Sequence, residues 1–386
     1  MKNLNIRGLV LIEPGGQSTG DPLASADPLP LMEIAGKTPL ERIKERLQQA
    51  GIEEILIVLD PDHASLAERA GIKKEFIYTG SGSERFWRAA ETAFGDLAQN
   101  GADLVILIQL GAYAEVDFDQ LAQFHLEQQA RVTRVHCQSK PLQVFCVSAS
   151  RRNYAASLFR SRLSQCRTEC PVFESSGYFN VLRDLRDLRQ LAVDIFTLKT
   201  ETRPAGEELK PGVWTCAGSV IEKGARVLAP AFIGPYARVH AGAVVTRCST
   251  VERCSRVDCG TVVENSTVLP YSYIGAGLDL AHSIAGSNKI ANLRRNVCTE
   301  IADKKLMAMI STATVTQFLK AAGAFVALLP KQILRGAADR RQPQTADSRA
   351  RLQEPVSRIG TAASYTADTT GSAPLELTSV RKYGRQ

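Results

Sequence analysis

Nine aliphatic residues recur in strict sixes: Ile221, Val227, Ile233, Val239, Val245, Val251, Val257, Val263 and Leu269. Four residues after each of the first eight comes a small one: Ala225, Ala231, Ala237, Ala243, Ser249, Ser255, Thr261 and Thr267. A fixed period of this kind marks a repeat architecture, in which each unit buries its apolar face only against its neighbours. Six residues make one short flat side of a coil. The aliphatic residue points inward, and the small residue fits the corner where a larger one would clash. Three sides close one turn, so residues eighteen apart stack: Ile221 over Val239 over Val257. Successive turns then lie about 4.8 Å apart, as in any sheet.

This pattern resembles the left-handed parallel β-helix of the hexapeptide-repeat proteins. The register slips after Leu269, where Ile274 and Ile284 predict a looser last turn.

The preceding stretch, residues 1–200, has a different grammar. Apolar runs at 8–12, 54–60 (EILIVLD) and 104–110 (LVILIQL) read as buried strands. Between them Leu40, Ile43 and Leu47 recur at helical spacing, with Gly51 as a stop. Residues 85–97 read as a second helix, and Phe118, Leu121 and Phe124 mark a third. Strand patterns return at 142–147 and 178–182. Alternation of this kind predicts an α/β domain with an open, largely parallel sheet, whose ligands bind beyond the strand C-termini. Residues 201–218, with Pro204, Gly206, Pro211 and Gly212, read as a linker, and 219–300 as the repeat domain.

A solenoid needs a cap. Val315, Phe318, Ala322, Phe325, Leu329 and Ile333 share one helical face, so 301–335 is expected to be an amphipathic capping helix. With Lys320, Lys331 and Arg335 flanking it, peripheral membrane contact through 312–335 is the other reading. Residues 336–386 read as a disordered basic tail; from Lys331 onward ten Lys/Arg against five Asp/Glu supply +5 of the chain's net +7. The folded part is therefore near neutral and has no basic patch interleaved with aromatics, which argues against nucleic-acid binding. The nine cysteines are scattered, with no CxxC pair and no zinc spacing. Together with an N-terminal apolar run too short for a signal peptide, this predicts reduced thiols and a cytoplasmic protein.

Four segments carry a more specific resemblance. PLMEIAGKTPLERIKERLQQAGIEEILIV (30–58), following GGQSTG (15–20), resembles the opening of the sugar-1-phosphate nucleotidyltransferases, or nucleotide-sugar pyrophosphorylases. ADLVILIQLGAYAEVDFDQLAQFH (102–125) and SGYFNVLRDLRDL (176–188) resemble the segments that supply that family's two metal ligands. TVVENSTVLPYSYIGAGLDLAHSIAGSNKI (261–290) is similar to its C-terminal repeats. The resemblance implies a Rossmann-like nucleotidyltransferase fold followed by a β-helix, and nucleotidyl transfer as the ancestral chemistry. In that reaction a sugar phosphate oxygen attacks the α-phosphorus of a nucleoside triphosphate, and Arg, Lys and Mg²⁺ answer the charge on phosphate.

The charged positions of that pattern are not filled here. Its Arg falls at Thr19, its Lys at Leu29, its first metal Asp at Gly111, and its second near Asn180 or Val181. The segment between 128 and 143 is also short for the family's sugar-recognition lobe. The resemblance thus implies a catalytically lapsed relative that serves as a binding, regulatory or scaffold subunit, either as a homo-oligomer through the β-helix or paired with an active homologue. No catalytic residue and no cofactor are assigned, and Mg²⁺ is expected only if the site proves active. Gly15, Gly16, Gln17, Ser18, Gly80 and Ser81 are candidate contacts to a nucleotide or nucleotide sugar, with a plain surface turn as the other reading of the glycine loop. Two alternatives stay open. One is an active nucleotidyltransferase rebuilt around Lys37, Arg85, Arg88, Asp103, Glu115, Asp117 and Asp184. The other is an acyltransferase using His240, which follows the inward Val239 and so should point outward.

Overall fold

A computed structural model describes residues 4–12, 28–59, 76–78, 83–149, 170–286 and 288–310. The expected helix over 312–335 and the tail 336–386 lie outside the described residues.

The N-terminal part is α/β. Its main sheet has seven strands: β1 (Ile6–Ile12), β2 (Ile55–Leu59), β3 (Phe76–Tyr78), β4 (Leu104–Gln109), β6 (Val132–Cys137), β7 (Lys140–Ser148) and β8 (Val172–Ser175), in the order β3-β2-β1-β4-β7-β6-β8. A separate pair, β5 (Ala112–Ala114) with β9 (Phe179–Val181), is antiparallel. β1 is parallel to both β2 and β4. Its residues Leu9 to Ile12 are buried on both faces, which is why they read as an unbroken apolar run.

The departure from a parallel sheet is β7, antiparallel to both β4 and β6. β6 and β7 are joined through Gln138 and Ser139, at φ 50° and 62°. Two left-handed residues between strands form a tight hairpin, and a hairpin imposes antiparallel pairing. The usual signal, Asn or Gly in that turn, is missing from the sequence.

Helix α1 (Pro39–Gln49) begins with a capping box: Glu41 N donates to Thr38 Oγ1 at 3.1 Å, and Thr38 N donates to Glu41 Oε2 at 2.6 Å. Pro39 occupies the first turn, where a missing N–H costs nothing. Gly51, at φ 76°, ends it as expected. Leu40, Ile43 and Leu47 are all buried against the sheet. Helices α2 (Ser83–Gln99), α3 (Phe118–Glu127) and α4 (Leu185–Phe196) complete this part, the last two capped by the Asp117 and Asp184 carboxylates.

From Val213 onward the strands fall in rotation into three sheets, giving a β-helix-like coil of parallel strands. Ile221 pairs with Val239 and Val239 with Val257, the eighteen-residue stacking read from the repeat. Inward residues Val227, Ile233, Val239, Val245, Val251, Val257 and Val263 form the core. The coil starts earlier than expected. Val213–Thr215 already pairs with Ala231–Ile233, and Glu207–Lys210 covers its outer edge in antiparallel, so half of the expected linker is built into the coil.

The register slips before Leu269, not after it. Val251 pairs with Val268, which is fully buried, while Leu269 is only partly buried. The corner carrying Arg247 and Cys248, both left-handed, becomes in the next turn a corner with Asn265 alone at positive φ. One side of that turn is therefore five residues long, and Ser266 rather than Thr267 takes the corner.

The same change explains why the small residue switches from Ala to Ser or Thr. Ser249 Oγ donates to Val263 O at 3.0 Å and accepts from Ser266 N at 3.2 Å. Ser255 does the same with Leu269 O (2.7 Å) and Ser272 N (3.3 Å). Thr261 repeats it with Gly275 O (2.5 Å) and Leu278 N (3.2 Å), and Ser266 with Leu280 O (3.1 Å) and Ser283 N (3.0 Å). Each hydroxyl bridges a carbonyl and an amide of the next turn, a link that a methyl cannot make.

The lower end is closed by strands. Ser283–Gly286, Lys289–Asn292 and Val297–Glu300 form an antiparallel meander, and Met307–Met309 runs antiparallel along Ser272–Ile274. Residues 301–310 are thus turn and strand, so the helix expected over 301–335 does not begin at 301.

The α/β part and the coil belong to one compact unit. In the outward column of the first sheet, Trp214 and Phe232 pack on the core of the α/β part and Thr267 accepts from Arg189 Nη1 at 3.3 Å. Phe232 is completely buried there. Gly36, at φ +84°, lets the chain pass: a Cβ on it would meet Phe232 Cζ at 2.6 Å and Ala205 Cβ at 2.7 Å.

Candidate functional site

The resemblance directs attention to the C-terminal ends of β1 and β4. The glycine-loop residues Gly15, Gly16, Gln17 and Ser18, together with Thr19, and the second candidates Gly80 and Ser81, lie outside the described residues. The remaining positions are described. Leu29, where the family pattern has a basic residue, lies in a short 3-10 turn (Leu29–Leu31) between Pro28 and Pro30 and is buried in the main core. Gly111 lies two residues beyond the end of β4 and is exposed, and a Cβ on it would meet nothing within 4 Å. Asn180 is buried on β9 opposite Tyr113. Its amide nitrogen donates to Asp187 O at 3.1 Å and Tyr178 Oη at 3.2 Å. Tyr178 in turn donates to Asp194 Oδ2 at 2.7 Å. Asn180 thus fastens β9 to α4. A carboxylate here would lose both donated hydrogen bonds.

These residues do not fit a magnesium site. Mg²⁺ is held by oxygens, carboxylates above all, and the two ligand positions carry a bare backbone and an amide tied into a helix contact. Among the described residues, no group of three or more His, Cys, Asp or Glu side chains is placed to hold a metal ion.

The spare charges that a rebuilt site would draw on have structural partners. Lys37 Nζ pairs with Glu45 at 2.6 Å, and Arg88 lies 3.5 Å from Glu84. Asp103 stands before β4, at the end opposite Gly111, and accepts from Asn5 N at 2.9 Å. Asp117 accepts from Gln120 N at 2.9 Å, and Asp184 from Arg186 N at 2.8 Å, as helix caps. Glu115 is buried and accepts from Glu201 N (2.8 Å), Thr202 N (3.2 Å) and Tyr113 Oη (3.0 Å). Arg85 is exposed on α2.

A polar cleft of about 350 Å³ opens elsewhere, between the end of α1, the start of α3 and the β8–β9 turn. Arg46, Glu115, Asp117, Glu174 and Glu201 line it, and Arg46 pairs with Glu201 at 2.8 Å. None of its lining comes from the C-terminal ends of β1 or β4.

The charges that sequence reasoning missed lie where the two parts meet. Glu252 follows the inward Val251 and is fully buried. Its carboxylate accepts from Ala35 N at 2.8 Å and Gly36 N at 2.9 Å. Ala35 and Gly36 form a left-handed turn (φ 50° and 84°) whose two amides converge on the carboxylate. Burial pushes the Glu252 carboxyl upward, and the Thr250, Gly36 and Ala35 donors oppose it. Arg42, also buried, braces the same turn: Nη2 donates to Ile34 O at 2.8 Å, and Nη1 to Thr202 Oγ1 at 2.6 Å. Arg253 Nε donates to Glu33 Oε1 at 2.8 Å. Burial outweighs Arg253 at Glu33 and pushes its carboxyl up to about 8. On α4, Arg189 Nη2 reaches into the coil to Cys248 O at 2.7 Å and Asn265 Oδ1 at 2.9 Å. These pairs join residues far apart in the chain, and no local pattern announces them.

His240 points outward, as read from the repeat. Its Nδ1 lies 3.0 Å from Glu222 Oε1 one turn away. Among the described residues no helix is long and apolar enough to cross a membrane. Neither a protein-family model nor a curated protein matches this sequence.

Proposed function

We propose that this chain is a nucleotide-sugar pyrophosphorylase-like protein whose catalytic chemistry has lapsed, acting as a binding, regulatory or scaffold subunit in nucleotide-sugar or surface-polysaccharide metabolism. On this reading the α/β part is nucleotidyltransferase-like and Rossmann-like, and the coil is a left-handed hexapeptide β-helix. The position of β1 between parallel β2 and β4 supports it, because ligands of such sheets gather beyond the ends of the central strands. The observation that carries the loss of chemistry is the pair Gly111 and Asn180. Nucleotidyl transfer depends on cations placed against developing phosphate charge, and neither position offers a carboxylate to hold one. The same proposal places the protein in the cytoplasm, consistent with the free, buried thiols of Cys137, Cys146 and Cys254. Its partners are a nucleotide or nucleotide sugar, and another copy or an active homologue.

Titration calorimetry with a panel of nucleoside triphosphates and nucleotide sugars, run beside a pyrophosphate-release assay with sugar phosphates and Mg²⁺, tests the reading. Binding without turnover is the expected result. Turnover above the buffer blank that is lost in Arg85→Ala or Asp117→Ala overturns it in favour of a rebuilt active site. Absence of both ligand binding and any co-purifying partner removes the binding role.

The Glu222–His240 pair favours one second reading, acyl transfer, because a carboxylate on Nδ1 leaves Nε2 to act as a base. No acetyl-CoA-dependent acylation of an amino or hydroxyl acceptor eliminates it, and acylation that survives His240→Ala eliminates His240 as its base.

A further inference from the structure

The third sheet of the coil has an outward face whose chemistry reads as its own complement. Arg226, Val244, Val262 and Asp279 stack one per turn along it. Their in-line neighbours Val227, Val245, Val263 and Leu280 point into the core, so these four point out. Arg226 and Asp279 are exposed at the two ends, and Val244 and Val262 are half-buried between them. Among the described residues, neither the Arg226 guanidinium nor the Asp279 carboxylate has a hydrogen-bond or ion-pair partner. Beside this column runs a second one. Leu228 is exposed at the Arg226 end, Thr246 and Glu264 lie in the middle, and Ala281 is at the Asp279 end. Leu228 N donates to Val245 O at 2.8 Å, which keeps it in line with the strand.

We propose that this face is an isologous interface with a second copy of this chain, the two coils running antiparallel across a twofold axis. The axis lies in the interface, parallel to the strands, and passes between the Val244 and Val262 rungs. Under that operation Arg226 of each copy meets Asp279 of the other, Val244 meets Val262, and Leu228 meets Ala281. Isologous contacts have this reciprocity, with residue i on j and j on i. A parallel copy would set Arg226 on Arg226 and Asp279 on Asp279, so the charge order selects the antiparallel arrangement. Two sheets packed face to face stand about 10 Å apart, which suits Val–Val contact in the centre and an Arg–Asp pair at each end.

The size of the face sets the strength. Four rungs about 4.8 Å apart and sides about 20 Å wide give roughly 300–400 Å² per partner. A standard stable interface buries about 800 Å² on each side. Self-association is therefore weak, in the micromolar range or above, and is weakened further by salt because its charge pairs lie at the rim. The inference is independent of whether the α/β part binds a nucleotide.

Sedimentation velocity of the full chain, over a concentration series reaching several hundred micromolar at low and high salt, tests it. The expected result is a monomer–dimer equilibrium that shifts toward monomer at high salt. Arg226→Asp and Asp279→Arg each set like charges at both ends of the interface, and each weakens the dimer on the order of tenfold or more. The double variant Arg226→Asp/Asp279→Arg restores wild-type association, and so does an equimolar mixture of the two single variants. Both substituted positions are exposed, so circular dichroism of the variants matches the wild type. A wild-type monomer at every concentration, a trimer, or a dimer indifferent to both single substitutions overturns the proposal.

Discussion

Replacing Glu252 by alanine removes the carboxylate that joins the coil to the α/β part. The side chain is fully buried, and both oxygens accept backbone amides, from Ala35 at 2.8 Å and Gly36 at 2.9 Å. In the variant, two buried N–H groups lose their acceptor, at about 1–3 kcal/mol each. Arg42 loses a nearby counter-charge in a site from which water is excluded. Relief of the carboxylate's own desolvation offsets part of this. Breaking one member of a buried charged network generally costs about 3–5 kcal/mol, and we expect a loss in that range. Urea unfolding followed by tryptophan fluorescence measures it, because Trp87 reports from α2 and Trp214 from the first turn of the coil. Trp87→Phe and Trp214→Phe backgrounds separate the two signals. The wild type is expected to unfold with both probes together. In Glu252→Ala the Trp87 transition moves to lower urea. Glu264→Ala, which removes a partner of the exposed Arg247, serves as control, with an effect below about 1 kcal/mol. A Glu252→Ala variant within about 0.5 kcal/mol of wild type would refute the claim that this contact couples the two parts.

Three further outcomes follow from the same geometry. The Glu33 carboxyl is raised from 4.5 to about 8 in the fold, chiefly by burial. The folded state therefore holds its proton more tightly, and the stability this contributes is full below pH 4.5 and is lost as pH climbs through about 8. Glu33→Gln should flatten the decline between those limits in thermal melts, and an unchanged slope would contradict the assignment. In the coil, Val268→Ala should cost about 2–3 kcal/mol and Leu269→Ala clearly less, since Val268 alone lies in the core. Equal costs by denaturant titration would mean that the six-residue register continues through Leu269. Ser266→Ala should cost about 1–3 kcal/mol, because its hydroxyl serves both Leu280 O and Ser283 N. A neutral result would show that water replaces it.

How much of this was legible in advance differs element by element. Helix α1 was read with its stop at Gly51 because a capping box, an N-terminal proline and a C-terminal glycine act on residues a few positions away. The buried strands β1, β2 and β4 were visible as apolar runs for an equally local reason. The β6–β7 hairpin was not, because Gln138 and Ser139 adopt positive φ without the residues that advertise it. At the candidate site, the missing charges at Leu29, Gly111 and Asn180 were evident from their identities. That the Asn180 amide ties β9 to α4, and that Asp117 and Asp184 are helix caps, required the packed molecule.

By itself the sequence determined the period of the coil, because one inward aliphatic residue in every six is a demand each turn makes of its own residues and its immediate neighbours. It likewise determined the alternating strands and helices before it, and the uncharged residues at the positions where the resembled family carries its charges. Only the tertiary structure decided the one-residue shortening before Val268, the closing of the coil by antiparallel strands, and the buried polar contacts that hold the two parts together. Glu252 finds Gly36 across 216 positions of chain and Arg253 finds Glu33 across 220. Such pairs are selected by which buried donors and acceptors would otherwise go unmet once the two surfaces close, a condition that exists only in the folded molecule.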